Sequence, residues 1–187
     1  MSIRLYHGSD IAIPHPLVGH NTGHTDLGNG FYLTDDHDAA LGRARSRARR
    51  TGQGTGIVSV YDLDETCVPW VLAETEEREA TWASRPHVPI TGPFGLCFSE
   101  DPAGLASWMG YMGTCRRGNT LVNGLGNPAI VRAWIATEEF EMVHAGVVNP
   151  SEMAKLMEPA DLVVQYCLLD QDILDHGLTF VAAEQAD

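Results

Sequence analysis

Long apolar runs are missing from this chain, and so are closely spaced cysteines and any surplus of positive charge. No segment approaches the length needed to cross a bilayer as a helix. The opening residues, Met1-Ser2-Ile3-Arg4-Leu5-Tyr6-His7, offer no apolar core for a conventional signal peptide. A cytoplasmic protein is therefore expected, or one exported by a specialised secretion system, with no membrane partner. Cysteine is scarce: Cys67, Cys97, Cys115 and Cys167 are widely spaced and form no Cys-x-x-Cys. That excludes a dense disulfide framework and a zinc-ribbon pattern, and favours reduced core thiols. Basic residues number 12 against 25 acidic ones, a net charge of -13. Such a balance excludes broad, non-specific binding to nucleic acid or anionic membrane, though not a local basic site. Internal repeats and low-complexity tracts are also absent.

What is present is ordinary globular material. With 187 residues, 44% hydrophobic and 20% charged, the chain can bury a core as a single domain, 1–187. Its centre of interest is Gly28-Asn29-Gly30-Phe31-Tyr32-Leu33-Thr34-Asp35-Asp36. Here a glycine turn, with residues that tolerate positive φ, feeds a short strand and then a helix. Thr34 or Asp35 is the expected N-cap, and Asp36 and Asp38 suit the first turn. Tyr32 then stands at a strand-to-helix junction, where a flat ring can be held against a ligand.

Upstream, Ile3 to Tyr6 reads as a first strand ending at His7-Gly8-Ser9. Asp10 to Thr25, rich in Gly, Pro, His and Asn, reads as a loop. His20-x-x-x-His24 with Asp26 has metal-ligand spacing only on a helix, which Gly19 and Gly23 oppose. No metal site is expected, and a metal-dependent hydrolase using these residues with Asp35-Asp36-His37-Asp38 is the remote alternative.

Downstream, a helix from about Asp35 to Arg50 carries Ala39, Ala40, Ala44 and Ala48 on a narrow face. Arg43, Arg45, Arg47, Arg49 and Arg50 crowd its second half, either as solvated cations favoured by the helix dipole or as a contact for a polyanion. A strand is expected over Ile57 to Leu63, and a helix from Pro69-Trp70. The proline- and glycine-rich stretch from about 83 to 126 reads as an irregular insertion. Asn127-Pro128 predicts a helix start, with Ile130, Val131, Trp134 and Ile135 on its buried face and an end near His144. Asn149-Pro150-Ser151 opens another helix, with Met153, Leu156 and Met157 inward. Leu162 to Leu169 reads as a central strand interrupted by Gln165, Asp170 to His176 as a helical turn, and Leu178 to Ala182 as a last strand.

Two of these stretches line up with a known family. Leu5-Tyr6-His7-Gly8-Ser9 resembles the strand-end His-Gly motif of the ADP-ribosyltransferase superfamily, in its branch of diphtheria-toxin-like and poly-ADP-ribosylating enzymes. Gly28-Asn29-Gly30-Phe31-Tyr32-Leu33, followed by Asp38-Ala39-Ala40, resembles the same enzymes' glycine-x-glycine-aromatic-Tyr stretch and its helix. The chain as a whole is similar to a bacterial domain-of-unknown-function family, number 3990, related to them. The match spans 3–65 and, more loosely, 126–181.

The resemblance implies an α+β fold of the ADP-ribosyltransferase type: two small antiparallel sheets packed at a steep angle, with flanking helices and an NAD cleft between them. It implies that His7 bonds a ribose, the Gly8 backbone pairs with the nicotinamide carboxamide, and Tyr32 stacks on the cationic nicotinamide. Ser9 would add a hydroxyl, and Gly30 and Phe31 would complete the cofactor-binding set. The family's late-strand Glu is replaced by Gln165, which can orient a ribose hydroxyl but cannot take a proton. The expected activity is transfer of ADP-ribose from NAD to a macromolecular acceptor, protein or nucleic acid. A toxin or effector role, with an antitoxin or immunity partner, follows by analogy alone. A non-catalytic module that binds NAD or ADP-ribose is the alternative.

Overall fold

The computed structural model describes residues 2–20, 25, 29–52, 54–67, 130–135, 142–143, 145–156 and 163–186. Over these residues the chain is a mixed α/β protein built on one antiparallel sheet. Its strands are β1 (Ser2–Ser9), β2 (Phe31–Thr34), β3 (Gly56–Asp64), β4 (Ile130–Ile135), β5 (Val163–Leu168) and β6 (Leu178–Ala186). The described residues also include the helices α1 (His37–Thr51), α2 (Pro150–Leu156) and α3 (Gln171–His176), with a short 3-10 turn at Glu65–Cys67. The strand order is β4-β5-β2-β1-β3-β6, every neighbouring pair antiparallel.

The expectation of two separate sheets is corrected: the described residues form one six-stranded sheet. That sheet has a seam, however. β1 pairs with β3 continuously from Ser2↔Asp64 to Ser9↔Ile57, but with β2 only at Tyr6↔Thr34. Two three-stranded halves, β4-β5-β2 and β1-β3-β6, are thus joined through a single residue pair.

Strand alternation divides the core into two layers. One face carries Leu5, Phe31, Leu33, Tyr61, Leu63, Tyr166 and Leu168, packed with Ile173 and Leu174 of α3. The other carries Val58 and Val60, against Ala40 and Ala44 of α1 and Ala186 of β6. Helix α1 starts and stops as its sequence dictates. The Asp36 carboxylate accepts from the Ala39 amide at 3.0 Å, so the N-cap is one or two residues later than expected. Gly52 ends the helix in the left-handed region at φ 74°.

Three further expectations are overturned. Residues 130–135 form a strand, not a helix. Ile130, Val131, Trp134 and Ile135 are apolar at a helical spacing, but they are also β-branched or aromatic, and β5 supplies a ladder for them. Leu156 of α2 points outward, 76% exposed, while Met153 is buried as expected. Cys167 is a buried free thiol, but Cys67 is exposed, its thiol directed at the His176 carbonyl. The expected Pro69 helix, the 83–126 insertion, the Asn127-Pro128 helix start, His144, Met157, Cys97 and Cys115 lie outside the described residues. Among the described residues, no helix is long and apolar enough to cross a membrane.

Candidate functional site

The seam between β1 and β2 is where the motif residues gather. β1 continues past Tyr6 to Ser9, so His7 lies within the strand rather than at its end. Beyond the Tyr6↔Thr34 pair the backbones no longer bond to each other, and the His7 side chain enters the gap. Its Nδ1 lies 2.6 Å from the Tyr32 carbonyl oxygen. A carbonyl only accepts, so Nδ1 carries the proton and donates. The ring also stacks on Phe31, with centroids 4.6 Å apart and planes inclined by 26°. Phe31 is pinned in turn by an edge-on contact with Tyr61 at 5.7 Å. The imidazole is thus fixed in position and in tautomer.

Burial holds the His7 imidazole below its ordinary pKa. The bond to the Tyr32 carbonyl opposes this, and the nearby positive charges of Arg43 and Arg47 reinforce it. A neutral ring with its proton on Nδ1 presents Nε2 as an acceptor, suited to a hydroxyl donor.

Gly8 is needed for close approach, not for turning. A Cβ there would lie 2.1 Å from the Ala40 carbonyl oxygen and 3.0 Å from Arg43 Cβ, because the small-residue face of α1 rests on this point of β1. Gly30 is similar. Its φ is not positive, contrary to the turn expected there, and a Cβ would meet the Leu168 carbonyl oxygen at 2.4 Å and Cys167 Sγ at 2.6 Å. Ser9 is buried and donates to the Asp10 carboxylate at 3.1 Å.

Tyr32 is half-buried, and its register partner is Cys167. The Cys167 thiol is pushed up to about 12 by burial, against the pull of hydrogen bonds to the Tyr32 side chain and the Gly30 backbone. Gln165 is half-buried on β5, opposite Thr34 on one side and Ala133 on the other. By strand alternation Tyr32, Thr34 and Gln165 share one face of the β2–β5 half, whereas Phe31 and Leu33 face the opposite core. The seam therefore brings His7 against the Tyr32 backbone and the Phe31 ring. Tyr32 and Gln165 come together one strand further on.

Sequence reasoning missed two contributors, Tyr61 and Gln171. Tyr61 is fully buried, and its hydroxyl donates to the Ile13 carbonyl, while the Ile13 amide donates to Ser59 Oγ at 3.0 Å. These bonds fix the 10–18 loop on the His7 side of the sheet. Gln171 of α3 ties the same loop down, accepting from the Val18 amide at 2.9 Å and donating to the Pro16 carbonyl at 3.2 Å. Arg43 and Arg47, members of the basic cluster already visible in the sequence, stand over the end of β1.

Two residues of the metal-binding alternative are otherwise engaged. Asp36 caps α1, and His37 Nε2 pairs with Glu184 at 2.7 Å. His24 and Asp26 lie outside the described residues, and among the described residues no three His, Cys, Asp or Glu side chains are grouped to hold a metal ion.

A family model described as a protein of unknown function, DUF3990, matches residues 3–85. That span contains β1, the loop, β2, α1 and β3, and so both motif stretches. No curated protein and no solved structure matches the chain.

Proposed function

We propose that this chain is an ADP-ribosyltransferase-like protein that binds NAD at the β1–β2 seam and transfers ADP-ribose to a macromolecular acceptor. The observation that carries the reading is the His7 imidazole. It is wedged into the seam, stacked on Phe31 and held with its Nδ1 proton donated to the Tyr32 carbonyl, so that Nε2 is left to accept from a ribose hydroxyl. The match of the unknown-function family to 3–85 supports treating the two motif stretches as one unit.

In the reaction, the bond between ribose C1′ and the nicotinamide nitrogen breaks. Nicotinamide leaves neutral with the bonding pair, and positive charge develops at C1′. An acceptor nucleophile then bonds to C1′ and gives its proton to solvent. Gly8 and Ser9, at the end of β1 beyond its one pair with β2, would orient the carboxamide end. The half-buried Tyr32 ring would stack on the pyridinium, attracted by its charge, with Gly30 shaping the wall, while Phe31 backs His7 on the opposite face of the strand. Gln165, on the same face as Tyr32, would bond the 2′-hydroxyl without adding negative charge beside the developing cation.

The test is calorimetric titration with NAD together with measured nicotinamide release. His7→Ala combined with Tyr32→Ala should abolish both; unchanged binding and release would refute the proposal. The half-buried amide of Gln165 favours a second reading, a non-catalytic module that holds NAD or ADP-ribose. Gln165→Glu separates the two. Restoring a base and a negative charge should raise turnover by about 10²–10⁴ in a weakened enzyme. Turnover that stays at zero while NAD still binds favours the module.

A further inference from the structure

The strongest charge anomaly on the molecule is α1. A chain of net charge -13 places five of its twelve basic residues on this one helix, against a single acid there, Asp38. All five are arginine, although the helix dipole would accept either cation, and they are exposed. The dipole accounts for Arg49 and Arg50 in the last turn. It does not account for Arg43, Arg45 and Arg47, because its influence fades within one turn.

Helical geometry sorts the five. Ala40, Ala44 and Ala48 bury the inner face. Arg43, Arg47 and Arg50, at i, i+4 and i+7, follow one flank, and Arg45 and Arg49 follow the other. The first flank lies beside the end of β1: Arg43 Cβ is 3.0 Å from where a Gly8 side chain would begin, and Arg47 Nε is 3.5 Å from the Asp10 carboxylate. A row of guanidinium groups about 6 Å apart, spanning about 10 Å along the helix, is longer than a single diphosphate requires. It suits a repeating anion.

From this we infer that the Arg43–Arg47–Arg50 flank is a local binding rail for the phosphate backbone of single-stranded nucleic acid, passing beside Gly8 at the end of β1. Arginine, with its planar fork, engages phosphate oxygens bidentately, which a lysine point charge does not. The chain has eleven arginines and one lysine, Lys155, and the rail uses arginine alone. The net charge of -13 disfavours non-specific contact with a polyanion, so a local cationic feature has to supply the attraction. The inference goes beyond the NAD reading and stands without it.

The experiment is fluorescence anisotropy of short, labelled single-stranded RNA and DNA over graded NaCl, without NAD. Binding should weaken with salt, with a log–log slope near about -2 for three phosphate contacts. Arg43→Gln with Arg50→Gln leaves the Arg47–Asp10 pair intact and should lower the slope by about 0.7 for each arginine removed. Arg45→Gln with Arg49→Gln should change it far less. Circular dichroism of each variant confirms a retained fold. No binding at the lowest salt would overturn the inference. So would an unchanged slope in the first variant, or equal losses in both. Competition by polyglutamate as effective as by unlabelled oligonucleotide would overturn it in favour of an acidic protein partner.

Discussion

The β1-β3-β6 half of the sheet and the seam between β1 and β2 are held together differently. In the first, backbone pairing is unbroken along β1 and β3, and β6 follows β3 with one irregularity between Val60 and Tyr61. Helix α1 seals it through alanines and Gly8, with backbone close to backbone. At the seam the ladder between β1 and β2 stops after one pair, and a side chain, His7, bonds the Tyr32 carbonyl. A continuous ladder consumes its polar groups and offers a ligand nothing. An interrupted one leaves backbone groups and a fixed imidazole within reach of whatever enters. The framework half should therefore be intolerant of shape change, and the seam of chemical change.

The largest expected effect tests the framework. Gly8→Ala places a methyl group 2.1 Å from the Ala40 carbonyl oxygen, so α1 must lift from β1. Backbone cannot yield as a flexible side chain does, and overpacking of this kind should cost about 3 kcal/mol in urea unfolding. Gly42→Ala is the contrast. It lies in the same helix, exposed, with nothing within 4 Å of the new carbon, and should stabilise by about 0.5–1 kcal/mol. Equal effects at the two positions would remove the claim that α1 rests on Gly8.

A smaller effect tests how the framework supports the seam. Tyr61→Phe keeps the ring that packs edge-on against Phe31 but deletes the hydroxyl that donates to the Ile13 carbonyl. Leaving that acceptor unmatched should cost about 2 kcal/mol. The loop should loosen while the sheet does not, which hydrogen exchange reads as faster exchange of the Ile13 amide with little change along β3. Uniform acceleration would show that Tyr61 acts on the whole core instead.

How much of this was legible depends on whether the deciding signal is local. Helix α1 announces itself through the acidic residues at its start and the Ala40-Ala44-Ala48 spacing, all within one element, although its N-cap falls at Asp36 rather than at Thr34 or Asp35, and its C-cap at Gly52. β3 shows its period-two pattern, and α3 its Asp170 cap. β4 does not, because Ile130 to Ile135 satisfies both periods and only the presence of β5 decides. The seam was not legible either. Whether β1 and β2 share one sheet rests on a single long-range pair, Tyr6↔Thr34. In the site, the resemblance drew attention to His7 and Tyr32, yet the ring that His7 touches is Phe31, one residue earlier and on the opposite strand face. Alternation puts Phe31, not Tyr32, on His7's side, but no local pattern says that a side chain would fill a gap in the ladder.

The smallest effect concerns the charge state of that side chain, and its sign follows from burial. The unfolded His7 takes up a proton near pH 6.5, its folded pKa is lower, and between the two the unfolded chain binds more protons. Stability from this residue is therefore complete above the unfolded value and declines as pH falls below it, down to the folded value. One residue changes the unfolding free energy by at most about 1.4 kcal/mol per pH unit. Other histidines titrate in the same range, so the informative quantity is the difference between wild type and His7→Gln, which cannot ionise. Urea unfolding at stepped pH should find the variant less stable at neutral pH, where the His7–Tyr32 bond and the Phe31 stack are intact in wild type. That gap should narrow on acidification. A gap that widens instead would mean that protonated His7 is favoured in the folded state. The seam would then hold a cation rather than the neutral acceptor that an NAD ribose requires.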